Sequence, residues 1–361
     1  MKILQICSAQ SIGGGERHVA DLSNALSERG HDVFAAVKPN SPLRNLLNLS
    51  SQNIKTSRMK NALDILSARE LAKFVREKEI EIIHAHLGRD YPLAAMCSIF
   101  SGKPYVLTRH VLFPMKSVNA FVLRRAAGAI AVSNAVSDAL LKQKIFPAEK
   151  MTVINNGIDV KRFSPLEKKN TEKKIFRVGT IGALSQIKGH DVFLAAAAKV
   201  LQQNANVEFE IVGEDESPQK KSEAEIKQMI SDMNLQNRVR LRGWLDDVRP
   251  FLHSLDLFVS ASRFDAFGLV IAEAMACGIP MIVSETETAR EIIGNENSGI
   301  LFPINDSSAL AAAILNLLEN RKKREQLQLN ARKRIEQYFS LDKMVDATEA
   351  FYRRATTKSL A

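Results

Sequence analysis

Ser11-Ile12-Gly13-Gly14-Gly15-Glu16-Arg17-His18 follows the apolar run 3–7 and leads straight into a helical pattern marked by Val19, Leu22 and Leu26. Glycines let a backbone approach a ligand closely, and the helix N-terminus behind them favours an anion or a polar group. Strand, glycine turn and helix in that order open a doubly wound parallel sheet. A dinucleotide fingerprint needs a further glycine where His18 stands and an acid where Lys38 and Pro39 stand. The chain also has no G-x-x-x-x-G-K-[ST] run, so dehydrogenase and P-loop chemistries are disfavoured.

Working outward, short β-rich runs alternate with helical patterns along most of the chain. The first half predicts strands at 3–7, 33–37, 80–85, 105–108, 129–132 and 152–154. Leu63, Leu66, Leu71, Phe74 and Val75 mark a second helix, and Asn134 and Ser137 stand where a cap would start the helix through Leu140 and Leu141. The pattern breaks at Phe163-Ser164-Pro165 and the charged run 168–174, which reads as a linker. A second series restarts at 176–181 and continues through 207–212, 239–241, 257–260, 281–283 and 300–302. Helices follow through 310–318, 324–338 and 344–352. The expected architecture is α/β with two Rossmann-like, doubly wound domains, 1–165 and 172–340, facing a central cleft that takes two substrates.

Composition excludes several classes. The 361 residues are 45% apolar and 25% charged, which is globular rather than disordered or collagen-like. The longest apolar stretches fall well short of the roughly 18 to 20 residues a membrane span needs. The N-terminus turns polar too early for a signal peptide, so a cytoplasmic location is expected. Cys7, Cys97 and Cys277 lie far apart with no C-x-x-C and read as buried thiols in a reducing compartment. The net charge of +10 is confined to residues 1–165, which carry 23 Lys and Arg against 13 Asp and Glu; residues 166–361 carry 27 of each. An anionic partner of the first half follows.

Two stretches of the second half carry chemistry. Gly182-Ala183-Leu184-Ser185-Gln186-Ile187-Lys188-Gly189-His190 joins a strand to a helix and places an ammonium where backbone amides could join it on a phosphate. In the stretch from Ser262-Arg263-Phe264-Asp265 to Gly278-Ile279-Pro280, Asp265 and Glu273 stand eight residues apart across a strand-to-helix turn. Glu273 sits among apolar residues, where a carboxylate needs hydrogen-bond donors; the two hydroxyls of a ribose fit that need. The chain has no D-x-D, and His84 and His86 point to one face of a strand, an arrangement more often structural than metal-binding.

Asp265-x7-Glu273 followed by Ala-Met-Ala-Cys-Gly-Ile-Pro resembles the E-x7-E signature of retaining GT-B nucleotide-sugar glycosyltransferases, glycosyltransferase family four. Gly13-Gly14-Gly15-Glu16, His84-Ala85-His86, Ala131-Val132-Ser133, Val153 to Asp159 with Arg162-Phe163, Lys188-Gly189 and Val212-Gly213 agree in order and spacing, over about residues 1 to 350. The resemblance implies that Glu273 holds the donor ribose, while Lys188, Gly189 and the amides near Phe267, Gly268 and Leu269 hold the diphosphate. Gly14 and Gly15 would face the diphosphate from the other domain. Asp265 would face the transferred sugar, and His110 falls where the family has a sugar-contacting histidine. Arg17 and Arg109 join His110 on the acceptor side, and residues 341–361 return to the N-terminal domain. Two departures stand out: Ala183 replaces the family's usual arginine, so that either a neighbour such as Arg263, Arg109 or Arg17 substitutes or the donor is held differently, and Asp265 replaces a glutamate.

The implied activity is retaining transfer with no metal or other cofactor, the leaving phosphate itself accepting the acceptor's proton. In the first half, Arg44 to Lys55 with Arg58 and Lys60, and Val111 to Lys116 with Phe121, Leu123, Arg124 and Arg125, mix apolar and basic residues as a surface meeting anionic lipid would. The expected acceptor is therefore a membrane-linked or anionic glycan, as in lipopolysaccharide or surface-polysaccharide assembly, with the protein peripheral on the inner face of the cytoplasmic membrane. A nucleotide-sugar epimerase and a non-catalytic nucleotide-sugar or glycan binder are the rival readings. Nucleic acid is disfavoured, since 4 Tyr and 1 Trp leave few bases a stacking partner.

Overall fold

The computed structural model of the chain describes residues 1–115, 123–144, 146–166, 175–217, 219–294 and 297–357. The chain divides into two compact units, Met1–Asp159 with Ser340–Ala361, and Val160–Phe339.

The first unit is a seven-stranded parallel sheet in the order β3-β2-β1-β4-β5-β6-β7. Its strands are β1 (Lys2–Cys7), β2 (Asp32–Val37), β3 (Ile54–Thr56), β4 (Ile82–Ala85), β5 (Tyr105–Arg109), β6 (Gly128–Ala131) and β7 (Met151–Val153). From β1 the chain moves outward to β3 and then returns to β4, so the topological switch lies between β1 and β4, where open α/β sheets bind ligands. Ile3, Leu22, Leu26, Val33, Ile82, Val106 and Ile130 form a core that also takes in Val345, Phe351 and Tyr352 of the last helix, Leu341–Thr357.

A chain of polar groups crosses this core. Tyr91 donates to the Thr108 carbonyl at 2.7 Å. His84 has both ring nitrogens engaged, Nε2 with Thr108 Oγ1 at 2.7 Å and Nδ1 with the Tyr352 hydroxyl at 2.6 Å. Gln5 Nε2 donates to that hydroxyl at 3.2 Å, and Gln5 Oε1 accepts from His86 Nε2 at 2.7 Å.

Several local expectations are corrected. The second helix, α2, runs over Ile65–Glu77, started by the Asp64 carboxylate accepting from Ser67 N at 3.0 Å. Leu63 lies outside it, and Leu63 and Leu66 are 71% and 78% exposed, because the cap turns Leu71, Phe74 and Val75 to the core instead. The later helix Asn134–Lys142 is capped by Ser133, whose Oγ accepts from Val136 N at 3.2 Å, rather than by Asn134 or Ser137. The helix Tyr91–Ser101 has no counterpart in the sequence reading, since its apolar residues surround it without a periodic stripe. The strand β3 was likewise missed: it is three residues long, and its central Lys55 pairs with Glu70 at 2.7 Å. Of the basic-apolar surface expected to meet lipid, Leu47, Met115 and Leu123 are buried, while Leu46, Val111 and Phe113 are exposed. Lys116, Phe121 and the linker run 168–174 lie outside the described residues.

The second unit is a six-stranded parallel sheet in the order β10-β9-β8-β11-β12-β13. Its strands are β8 (Phe176–Ile181), β9 (Val207–Val212), β10 (Val239–Gly243), β11 (Leu257–Ser260), β12 (Met281–Ser284) and β13 (Ile300–Phe302). The switch here lies between β8 and β11. Arg332, on the helix Arg321–Tyr338, donates to the carbonyls of Val160, Phe163 and Ala276 at 2.9, 2.6 and 2.7 Å, which ties the unit's first residues to its body.

Gly189 joins the turn after β8 to the helix His190–Gln203 at φ +64°, and a Cβ there would stand 2.0 Å from the Ala261 carbonyl oxygen. Gly189→Ala should therefore cost about 3 kcal/mol, read as a lower urea midpoint for the second unit; an unchanged midpoint would contradict this packing.

Asp90 is 2% exposed and accepts from Ser8 N at 2.9 Å and from the Ser8 hydroxyl, tying the end of β1 to the start of the helix Tyr91–Ser101. Burial pushes its carboxyl up from 3.8 to about 6. Between those values the native protein holds a proton that the unfolded chain has released. Stability should therefore fall by up to about 3 kcal/mol as pH rises through that window. Asp90→Asn should flatten the dependence, read from denaturation midpoints at a series of pH values.

Candidate active site

In the second unit the turn after β8 is shaped by close contacts at its glycines. The stem of Lys188 lies across Gly182, whose Cβ would stand 3.2 Å from the lysine Cγ and Cδ. This directs the ammonium to Asp265, which follows β11, and the two form an ion pair. Thr288 Oγ1 donates to the Asp265 carbonyl at 2.7 Å, and the Ser284 hydroxyl donates to the Ser262 carbonyl, so β12 and the helix Glu287–Ile293 hold the Asp265 turn from behind.

Gly268, at φ +82°, ends that turn and opens the helix Leu269–Ala276. Phe267 is buried against Phe339, with ring centroids 5.9 Å apart. Glu273 lies in the second turn of the helix and is 8% exposed among buried Ala272, Ala274 and Met275. Among the residues predicted for the donor, the structure thus joins Lys188 directly to Asp265 and places Glu273 on the helix that the Asp265 turn feeds.

Arg263 takes a different position from a free substitute for the arginine replaced by Ala183. It forms a two-pronged pair with Asp191, NH1 to Oδ1 at 3.0 Å and NH2 to Oδ2 at 2.6 Å, and donates to the Gln186 carbonyl. Its backbone N also donates to the Ile187 carbonyl at 2.8 Å. Arg263 therefore braces the short 3-10 turn Gln186–Lys188 that presents the lysine. Ala183 itself is exposed.

In the first unit Gly14 and Gly15 begin the helix α1 (Gly14–Glu28), and Glu16 accepts from Gly13 N at 2.9 Å across its first turn. A Cβ on Gly15 would touch the His110 ring at 3.6 to 3.8 Å, so the ring that follows β5 rests on the start of α1. Arg17 lies one residue before His18 on the same turn. Arg109 is 6% exposed and donates to the Phe113 carbonyl, which commits its charge to the loop after β5.

Residues the sequence reading did not connect also gather here. Arg89 donates to Ser8 Oγ at 2.8 Å and to the Ser8 carbonyl at 2.6 Å. His18 packs edge-on against His110 with centroids 4.7 Å apart, and His86 stacks on His110 at 5.7 Å. Burial drives His86 and His110 well below the ordinary histidine range and pushes His18 down to about 4, with the adjacent Asn156 side chain opposing in the last case. All three rings are therefore neutral at pH 7. The only sequence signal for the grouping was that His84 and His86 share a strand face.

Comparison with known proteins gives this arrangement a context. Residues 12–162 match the family described as Glycosyltransferase Family 4, and residues 161–334 match Glycosyl transferases group 1. A galactosyltransferase of Escherichia coli acting on GlcNAc-diphosphoundecaprenol is 26% identical over 80% of this chain and 79% of its own length. The lipopolysaccharide core glycosyltransferase LpsE of Rhizobium meliloti is 25% identical over 93% of this chain and 94% of its own. Among solved structures, HepE of Anabaena, crystallised with UDP and glucose, superposes with a TM-score of 0.84 at 24% identity, covering 97% of this chain and 98% of HepE. The turn that carries Lys188, the Asp265-x7-Glu273 helix and the Gly14-Gly15 helix start thus stand on a GT-B fold, and the chain is a glycosyltransferase belonging to glycosyltransferase family four.

Proposed function

We propose that the protein transfers a sugar, with retention of anomeric configuration and without a metal, from a nucleoside-diphosphate donor to a membrane-linked or anionic glycan acceptor in lipopolysaccharide or surface-polysaccharide synthesis. The observation that carries this reading is the Lys188–Asp265 pair, held by Gly182 and braced by Arg263, at the head of the helix bearing Glu273. The relatives named above support the class of acceptor, and the UDP complex of HepE supports a uridine nucleotide as the first donor to try.

In this reading the C1–O bond to the diphosphate breaks, the acceptor oxygen bonds to C1, and the acceptor's proton passes to an oxygen of the leaving phosphate. The leaving group gains one negative charge beyond those the diphosphate already carries, and Lys188 with the turn amides stabilises it where it forms. Asp265 holds the ammonium in place before the donor arrives and faces the sugar once the phosphate takes the lysine over. Glu273 accepts the two ribose hydroxyls in charge-assisted hydrogen bonds. Arg17 and His110 lie on the acceptor side; Arg109, buried under the Phe113 loop, shapes that side. Among the described residues no helix is long and apolar enough to cross a membrane; Leu46, Val111 and Phe113, exposed beside the basic residues of the first unit, support a peripheral attachment to the inner leaflet.

Lys188→Met should lower kcat/KM for a UDP-sugar by about 100- to 1000-fold, the cost typical of removing one donor aimed at a developing oxyanion. Glu273→Gln should raise the donor KM by roughly 10- to 100-fold through loss of a charge-assisted hydrogen bond. Both are read from transfer to an undecaprenyl-diphosphate-linked sugar by mass spectrometry of the product. Wild-type transfer that survives either change would refute these assignments. An isomerised sugar from donor alone would favour an epimerase, and donor binding with no turnover a non-catalytic binder.

A further inference from the structure

Three imidazoles of the first unit come together without forming a closed hydrogen-bond network. One nitrogen each of His18, His86 and His110 lie within 4.8 Å of one another. Both ring nitrogens of His18 and Nδ1 of His110 are buried with no hydrogen-bond partner among the described residues. A buried polar group left unpaired costs about 1–3 kcal/mol, so a cluster of them is an expense that the fold does not recover by itself.

The tautomer of His86 can be read from its neighbours. Its Nε2 faces the Gln5 carbonyl oxygen at 2.7 Å, an acceptor, so Nε2 carries the hydrogen and Nδ1 keeps its lone pair. In this arrangement the Gln5 amide nitrogen donates to the Tyr352 hydroxyl at 3.2 Å. The His86 Nδ1 lone pair points to His110 Nε2 at 3.4 Å. Two nitrogens bound to one tetrahedral zinc-sized ion at 2.0–2.1 Å are separated by about 3.4 Å, so this pair already has the spacing of two ligands. His18, on the facing turn of α1, supplies the third corner. His86 thus has the oriented outer hydrogen bond that metal-ligating histidines require.

We propose that His18, His86 and His110 form a binding site for one divalent transition-metal ion, and that occupying it halts sugar transfer by tying up the His110 ring that otherwise meets the substrate. The donor set of three neutral nitrogens selects zinc, cobalt, nickel or copper over magnesium or calcium, which need oxygen ligands. His84, one strand position pair away, is excluded because Thr108 and Tyr352 occupy both of its nitrogens. The inhibitory half rests on the role of His110 under the proposed function; the binding half does not.

The test is titration of untagged, chelator-stripped protein with cobalt(II) in excess magnesium, followed by its visible ligand-field spectrum. One equivalent should bind with the absorption of a nitrogen-ligated, low-coordinate ion. His18→Gln and His110→Asn, each checked for native circular dichroism, should lose the spectrum. Tyr352→Phe, which loosens Gln5 and through it His86, should weaken cobalt by about 10-fold or more. No spectrum from folded wild type would overturn the site, as would one unchanged in both histidine variants. A thiolate charge-transfer band would assign the metal to Cys7, Cys97 or Cys277 and also overturn it. Cobalt or zinc that binds at the histidines while transfer proceeds undiminished would overturn the inhibitory half. A metal-free protein that transfers no sugar would count against the proposed function and leave the cobalt result standing.

Discussion

The Ala261 carbonyl oxygen stands where a side chain on Gly189 would begin, and the arrangement of the second unit's site follows from that proximity. The helix His190–Gln203 can start this close to the end of β11 only because its N-cap residue, Gly189, has no side chain. Gly213 meets the same condition on the other side of the turn, where a Cβ would stand 2.0 Å from the Gly182 carbonyl oxygen. Between these two contacts the chain has little freedom, so the lysine stem is laid over Gly182 and its ammonium delivered to Asp265. Chemistry that depends on a cation at one point is thereby built on backbone packing.

The first unit solves its positioning problem with polar groups rather than with bare backbone. Gln5, His84, His86, Thr108 and Tyr352 are each nearly inaccessible, and each needs the others to satisfy its donors and acceptors. Buried networks of this kind specify one arrangement because a half-made version is costly. Here the network fixes which nitrogen of His86 carries hydrogen, and so what His86 presents to His110. The final helix supplies Tyr352, so the last part of the chain sets the chemistry of a loop formed by the first.

Several arginines of the described residues are committed to structure. Arg263 braces the lysine turn through Asp191, Arg332 gathers three carbonyls, Arg109 supports the Phe113 loop and Arg89 wraps the Ser8 backbone. The net charge of +10 counted along the chain is therefore a poor guide to which cations meet a ligand. Lys188 is as exposed as Arg263, but its acidic partner Asp265 stands on the turn that leads to the Glu273 helix.

The alternation of apolar runs with helical patterns was enough to predict two parallel-sheet units, because strands covered on both faces and amphipathic helices leave periodic traces in any order of reading. The positions of Lys188, Asp265, Gly14 and Gly15 in strand-to-helix turns, and of Glu273 on the helix beyond one, were legible for the same local reason, whereas His110 was marked only by the family resemblance. Short or aperiodic pieces were not: β3 is three residues long, and the helix Tyr91–Ser101 is apolar on all sides. Nor were partnerships between distant residues. Arg263 looked available until Asp191 was seen 72 positions away from it, and His84 and His86 looked equivalent until Tyr352 and Thr108 satisfied one and not the other. Local pattern along the chain determined the elements and the turns that carry the chemistry. Which of those groups is paired, neutral or left open was decided by tertiary packing, since hydrogen-bond satisfaction depends on groups brought together across the fold and not on their neighbours in sequence.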